Sequence, residues 1–183
     1  MKINVIACGK LGLGKLGLGK LGSGKLGSGN LDSSFQTILK DYQKRLKWKL
    51  EIIEINLKSS TKNFNNNEIE QYKKAEAMLI IKAYKSNSKF SNNSKLIALD
   101  ENGKQFSSFN FSKIIADYQL NGCSELNFVI GGAFGLAKEV LELANLQLSL
   151  GAMTMPHMIA RIILIEQIYR AQTIIAGHPY HKE

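Results

Sequence analysis

Five short apolar runs, separated by stretches with helical spacing, constrain this 183-residue chain more than any other feature. "KINVIAC" at the N-terminus is a nearly continuous apolar run, as a strand buried on both faces must be, and "LEIIEINL" (Leu50 to Leu57) is a second. Between them, Leu31 to Lys47 puts Phe35, Ile38, Leu39, Tyr42 and Leu46 on one helical face, with Asp32 or Ser33 as N-cap. The Asn/Ser-rich stretches "KSSTKNFNNN" and "SNSKFSNNSK" read as solvated loops around a helix from about Glu68 to Tyr84. "KLIALD" is then a strand, "FNFSKIIADYQLNG" a helix closed by Gly122, "ELNFVIGG" a strand, "LAKEVLELAN" a helix and "LQLSL" a last strand. That alternation predicts an α/β fold: a mostly parallel sheet with helices on both faces.

With 44% hydrophobic residues the length suits one domain with one sizeable core, spanning residues 1–183. The last long element, about Pro156 to Ile175, starts with proline at its first turn, and its apolar residues wrap almost the whole circumference. Such a helix must be covered on more than one side, in the core or by a second subunit, and a homodimer is predicted. Arg161 and Glu166 interrupt its apolar stretch "MIARIILIEQI", short of the roughly 18 to 20 apolar residues of a membrane span. "INVIA" before Cys8 is shorter than the roughly 7 to 15 residues of a signal core. Cys8 and Cys123 have no metal-ligand spacing, and the expectation is two reduced thiols in a cytoplasmic protein without membrane or metal.

The formal charge is +9, from 24 basic and 15 acidic residues, which favours a polyanionic partner. Lys10, Lys15, Lys20 and Lys25 belong to "GKLGLGKLGLGKLGSGKLGSGN", and taking these four charges away leaves +5. Nucleic acid is the favoured partner class.

This repeat, residues 9–30, matches G-x-G-x-x-G at Gly12, Gly14 and Gly17, again from Gly17, and again from Gly22. A working dinucleotide fingerprint has one register, because each glycine has its own task. Three equivalent matches are a by-product of the unit G-K-L-G-[LS]. The phosphate-loop pattern fails at Leu26, which stands where a hydroxyl should hold magnesium. The expectation is an expanded loop, partly disordered, with little to bury.

The chemistry is expected elsewhere, in three loops that follow strands: "LDENG" (Leu99 to Gly103), "IGGAFG" (Ile130 to Gly135) and "GAMTMPH" (Gly151 to His157). Ligands of α/β sheets bind beyond the carboxyl ends of the strands, so these loops are expected to converge. Gly131 and Gly132 let main chain approach a ligand closely; Leu99, Met153 and Met155 offer apolar contact for a flat ring. Glu166 and Arg170, four apart, read as a structural helix pair.

From about Lys95 to Glu183, "IALDENG", "FVIGGAFGL", "MTMPHMIARIILIEQIYRA" and "HPYHKE" together resemble the ribosomal RNA large subunit methyltransferase H family of the SPOUT superfamily. The likeness extends more weakly through "KINVIACGK" and "DYQKRLKWKLEIIEI", and so covers nearly the whole chain except the repeat. It implies a C-terminal trefoil knot over about residues 95–183, a homodimer, and S-adenosyl-L-methionine as methyl donor. The implied reaction is N3-methylation of a pseudouridine in 23S rRNA on assembled ribosomes. The implied cofactor residues are Leu99, Gly131, Gly132, Gly151, Ala152, Met153, Thr154, Met155 and Pro156, with His157 just beyond.

Methyl transfer to a ring nitrogen is an in-line displacement governed by positioning. The N3 proton must leave, which calls for a base or nearby positive charge. His181 and Tyr180 in the tail and Arg161 on the long helix are the candidates. Phe134 departs from the small, polar or acidic residues the family shows there, and the repeat lengthens the first connection by about twenty residues, which costs only roughly 0.6 kcal/mol per doubling of loop length. Two alternatives are a relative that binds RNA without transferring methyl, and a nucleotide-binding protein using the repeat. Deleting Gly12 to Gly27 separates the last of these: donor affinity, measured by equilibrium dialysis, is expected to stay nearly unchanged.

Overall fold

The structure is a computed structural model that describes residues 1–9, 29–57, 64–87 and 93–180. Residues 10–28, which make up most of the repeat, therefore lie outside the described residues, as does His181. Ten elements alternate along the chain: β1 (Lys2–Cys8), α1 (Gly29–Arg45), β2 (Lys49–Ile55), α2 (Asn66–Asn87), β3 (Ser94–Gln105), α3 (Ser108–Leu120), β4 (Glu125–Ile130), α4 (Lys138–Leu143), β5 (Leu146–Ser149) and α5 (His157–Ile175). The strands form one sheet in the order β2-β1-β4-β3-β5, and every pairing is parallel.

Side-chain alternation along the strands sorts the core into two layers. Ile3, Val5, Phe128 and Ile97 point to the face covered by α1, α3 and α5, where Leu39, Phe111, Ile115, Leu164 and Ile168 meet them. Ile6, Cys8, Val129 and Ala98 point to the other face, under Ala77 and Ile80 of α2 and Val140 of α4. Helices on both faces of a parallel sheet follow directly from strands apolar on both sides.

Several boundaries move from their sequence expectation for identifiable reasons. Helix α2 starts earlier, because Asn65 and Glu68 form a reciprocal cap: Glu68 N–H donates to Asn65 Oδ1 at 2.9 Å and Asn65 N–H to Glu68 Oε2 at 2.8 Å. Helix α1 starts at Gly29, ahead of the expected caps Asp32 and Ser33. Pro156 caps α5 from outside with φ −55° and ψ 137°, one position before the first turn. "LDENG" is an irregularity inside β3 rather than a loop after it. Pairing with β5 breaks between Leu99 and Lys104 and resumes on the same partner, Leu148, while Asn102 N–H turns back onto Asp100 Oδ1 at 2.9 Å. Gly103 is needed there, since a Cβ would stand 2.7 Å from the Gln147 main chain.

The central pair of strands carries a buried polar rung. Asn4 and Asn127 are register partners, both fully buried, and Asn4 Nδ2 donates to Asn127 Oδ1 at 2.8 Å. A one-residue slip would aim each amide at the opposite apolar layer, so the rung specifies register. Asn4→Val alone is expected to destabilise by about 1 to 3 kcal/mol through the orphaned partner, and Asn4→Val with Asn127→Val to recover most of that loss in urea unfolding.

Candidate active site

The irregularity within β3 and the carboxyl ends of β4 and β5 open into one cleft of about 480 Å³, closed on a further side by the start of α5. Leu99, Gly131, Gly132, Gly151, Met153, Thr154, Met155 and Pro156 all lie on its wall, together with His157. Ala152 is exposed beside the wall and does not line it. The three segments nominated from the sequence thus converge, although they are spaced over almost sixty residues of chain.

The turn after β4 gives its glycines separate tasks, as the repeat cannot. A Cβ on Gly131 would stand 2.9 Å from the main chain of Gly135, and one on Gly132 would meet Glu76 Oε1 at 2.7 Å. Gly135 closes the turn with φ +74°, a left-handed conformation that suits glycine, and donates to Gly132 O at 3.1 Å. The turn after β5 is held differently: the buried Ser149 hydroxyl bonds both Gly151 N–H (3.2 Å) and Gly151 O (3.1 Å), and Gly151 takes φ +145°.

Phe134 sits on the cleft rim and packs edge-on against Phe64 and Tyr72, with ring centroids 5.2 and 5.7 Å away. Phe64 and Tyr72 complete the triangle at 5.5 Å. Phe134 therefore belongs to an aromatic cluster that joins the turn to the start of α2.

Sequence reasoning missed the group behind that turn. Glu76 of α2 is only 5% exposed, and its carboxylate meets the Gly132 N–H, the Cys8 thiol and the Tyr72 hydroxyl. Burial raises its pKa, against the lowering effect of those three donors. Burial, followed by the charge of Glu76, pushes the Cys8 thiol up to about 12, so it stays a protonated donor. Helical spacing carried a signal for this site: Tyr72, Glu76 and Ile80 follow one another at i, i+4 on the buried stripe, with the acid among apolar neighbours.

Arg161 is fully buried and absent from the cleft wall. Its Nη2 donates to the carbonyls of Cys8 (2.7 Å) and Gly9 (2.8 Å), and its Nη1 lies 3.5 Å from Glu54 Oε1. Tyr180 packs on Tyr169 and Arg170 of α5, at 5.0 and 5.1 Å, and none of the three touches the cleft. Arg170 pairs with Glu166 at 2.6 Å, as the spacing implied. His157 stands between cleft and clamp, with Nε2 3.1 Å from the place of a Gly9 Cβ. Among the described residues no group of three or more potential metal ligands occurs, and no helix is long and apolar enough to cross a membrane. Cys8 and Cys123 are both free thiols and both buried.

Comparison with known proteins gives the family of the chain. Residues 26–181 match the family described as "Predicted SPOUT methyltransferase". The chain belongs to the SPOUT methyltransferase family. Two relatives, from Carboxydothermus hydrogenoformans and Enterococcus faecalis, are named ribosomal RNA large subunit methyltransferase H. They are 43% and 40% identical over 146 residues, covering 79% of this chain and 88% of theirs. A solved "probable methylase family protein" from Haemophilus influenzae Rd KW20 aligns at TM-score 0.49 and 12% identity, over 99% of this chain and 70% of that one. The protein is a methyltransferase, and the SPOUT family's α/β architecture is the one described above.

Desolvation, followed by the charge of Arg161, lowers the His157 pKa below its ordinary 6.5. The unfolded chain takes up a proton near pH 6.5 that folded His157 resists, so stability is retained above 6.5 and falls as the pH drops through it. NMR titration of the His157 ring is expected to give a midpoint below 6.5, and His157→Gln to flatten that part of the stability profile.

Proposed function

We propose that this methyltransferase uses S-adenosyl-L-methionine to methylate ribosomal RNA in the cytoplasm, at N3 of a pseudouridine in the 23S rRNA of assembled ribosomes. The observation that carries this reading is the cleft itself: the segments bearing the family motifs meet in one place, in a chain 43% identical to a protein named ribosomal RNA large subunit methyltransferase H. The family also implies a trefoil knot over about residues 95–183, which we carry to this chain as part of the proposal.

The residues present fit such a donor. A space of 480 Å³ lies within the roughly 300 to 1,000 Å³ of small-molecule sites. Leu99, Leu148 and Met155 offer apolar walls for a flat ring, and Asp100 and Glu101 offer acceptors for hydroxyl or ammonium groups. The glycines at 131 and 132 keep side chains out of the wall, leaving main chain to approach the ligand. When bound, the donor supplies a methyl group on a sulfonium for in-line displacement. The chain's own part is to hold the acceptor nitrogen in line and to favour loss of its proton.

Arg161 serves that second task through its field. Its guanidinium is committed to Cys8 and Gly9, so it acts from behind His157 and not by contact. His157, kept neutral, is the imidazole on the cleft wall. Tyr180 and His181 remain our candidates for contact with the substrate. Tyr180 rests on α5 away from its own cleft, so this role calls for a second copy of the chain, with the tail of one serving the cleft of the other. Helix α5 supports a homodimer, because Ile159, Ile162 and Ile163 stay partly exposed on it.

Labelled methyl transfer to ribosomes that lack the modification tests the reaction, with the labelled nucleotide located by mass spectrometry. Label on N3 of the pseudouridine is expected; donor binding without transfer would instead favour an RNA-binding relative that has lost the activity. Mixing a Gly132→Glu variant with a chain truncated after Gly177 is expected to restore transfer that neither variant performs alone. Failure of the mixture to exceed its components would remove the shared site.

A further inference from the structure

Glu76 is a buried carboxylate that the reaction above leaves without a task. Among the described residues it is the only acid in the buried set, and three elements meet on it: α2 through Tyr72, the end of β1 through Cys8, and the turn after β4 through Gly132. Its two oxygens lie 2.7 and 3.1 Å from the place a Gly132 Cβ would occupy, so carboxylate and glycine are in direct contact. An enclosed carboxylate persists only where donors surround it, and here the donors come from separate parts of the chain. The aromatic cluster of Phe64, Tyr72 and Phe134 braces the same turn from its rim side.

We propose that Glu76 is a positioning residue for the methyl donor: by accepting the Gly132 N–H it holds the Gly131–Gly132 turn in the shape the donor needs, and it makes glycine obligatory at position 132. The proposal rests on the donor occupying this cleft. Glu76 reaches the donor only through Gly132. Its loss therefore acts mainly on donor affinity and less on the transfer step, in the way that loss of binding shared by ground and transition state does.

The test uses the full-length protein, with S-adenosylmethionine and S-adenosylhomocysteine as probes in equilibrium dialysis, and hydrogen exchange at the Gly132 amide as a readout that needs no ligand. Glu76→Ala is expected to weaken binding of both probes by about tenfold or more, raising KM for the donor more than it lowers kcat, and to speed Gly132 exchange. Glu76→Gln keeps an acceptor for the Gly132 N–H and is expected to recover most of the affinity. Tyr72→Phe keeps the ring and loses one donor, so a smaller effect in the same direction is expected if the alanine variant does not fold. Gly132→Ala is expected to cost less affinity in a Glu76→Ser background than alone, because the collision has been removed.

Unchanged donor affinity in folded Glu76 variants, or additive losses with Gly132→Ala, would overturn the proposal. So would Gly132 exchange unaffected by Glu76→Ala. A wild-type protein that binds neither probe, with Gly132 exchange still governed by Glu76, would instead overturn the donor reading and confine Glu76 to shaping the turn.

Discussion

A buried guanidinium fixes where the last helix sits on the sheet, and the cleft depends on that placement. Helix α5 is apolar around most of its circumference, so hydrophobic burial alone does not choose one rotation over its neighbours. Arg161 makes the choice. Taking a charge out of water costs several kcal/mol unless carbonyls or carboxylates receive it, and only one rotation presents it to Cys8 O, Gly9 O and Glu54. That rotation also sets His157, one turn earlier on the same helix, into the cleft wall.

The opposite side of the cleft is organised by charge of the other sign. Glu76 approaches the end of β1 from α2, as Arg161 approaches it from α5, and Cys8 lies between them. The two ions therefore bracket the end of one central strand from the two faces of the sheet. Arg161 is held by two main-chain carbonyls and Glu54, and Glu76 by a main-chain amide, a thiol and a phenol, so neither spends its charge on the other. Polar groups are tolerated at this end of the sheet because strand ends supply unpaired carbonyls and N–H groups, whereas the sheet's middle admits only the neutral Asn4–Asn127 rung.

Much of this was legible in the sequence, and the limits have physical causes. Apolar runs located all five strands, most clearly β1 and β4, where burial on both faces leaves little polar alternation. They carried no information about lateral order, so nothing in "ELNFVIGG" shows that β4 lies between β1 and β3. Two of the cleft segments were visible because a glycine pair and a Thr-Met-Pro-His stretch after strands are unusual. That "LDENG" bends within β3 was not, because the pairing that continues it comes from Leu148, more than forty residues later. Arg161 stood out because loss of the N3 proton calls for nearby positive charge, and its flanks, Ala160 and Ile162, already placed it on an apolar helix. Glu76 escaped notice because its partners are a main-chain amide, a thiol and a phenol, which carry no complementary charge to search for.

The strand order also has a consequence for synthesis. β1 precedes the other described elements, yet one of its two neighbours, β4, follows more than a hundred residues later, and Asn4 finds Asn127 across a separation of 123 residues. At about 5 to 20 residues per second, β1 waits roughly 6 to 25 s with one edge unpaired. Its carbonyls at Cys8 and Gly9 wait longer still, for Arg161. Until β4 and α5 leave the ribosome, the nascent chain is an open β1–β2 pair with an apolar face, which is the state most in need of protection from association with other chains.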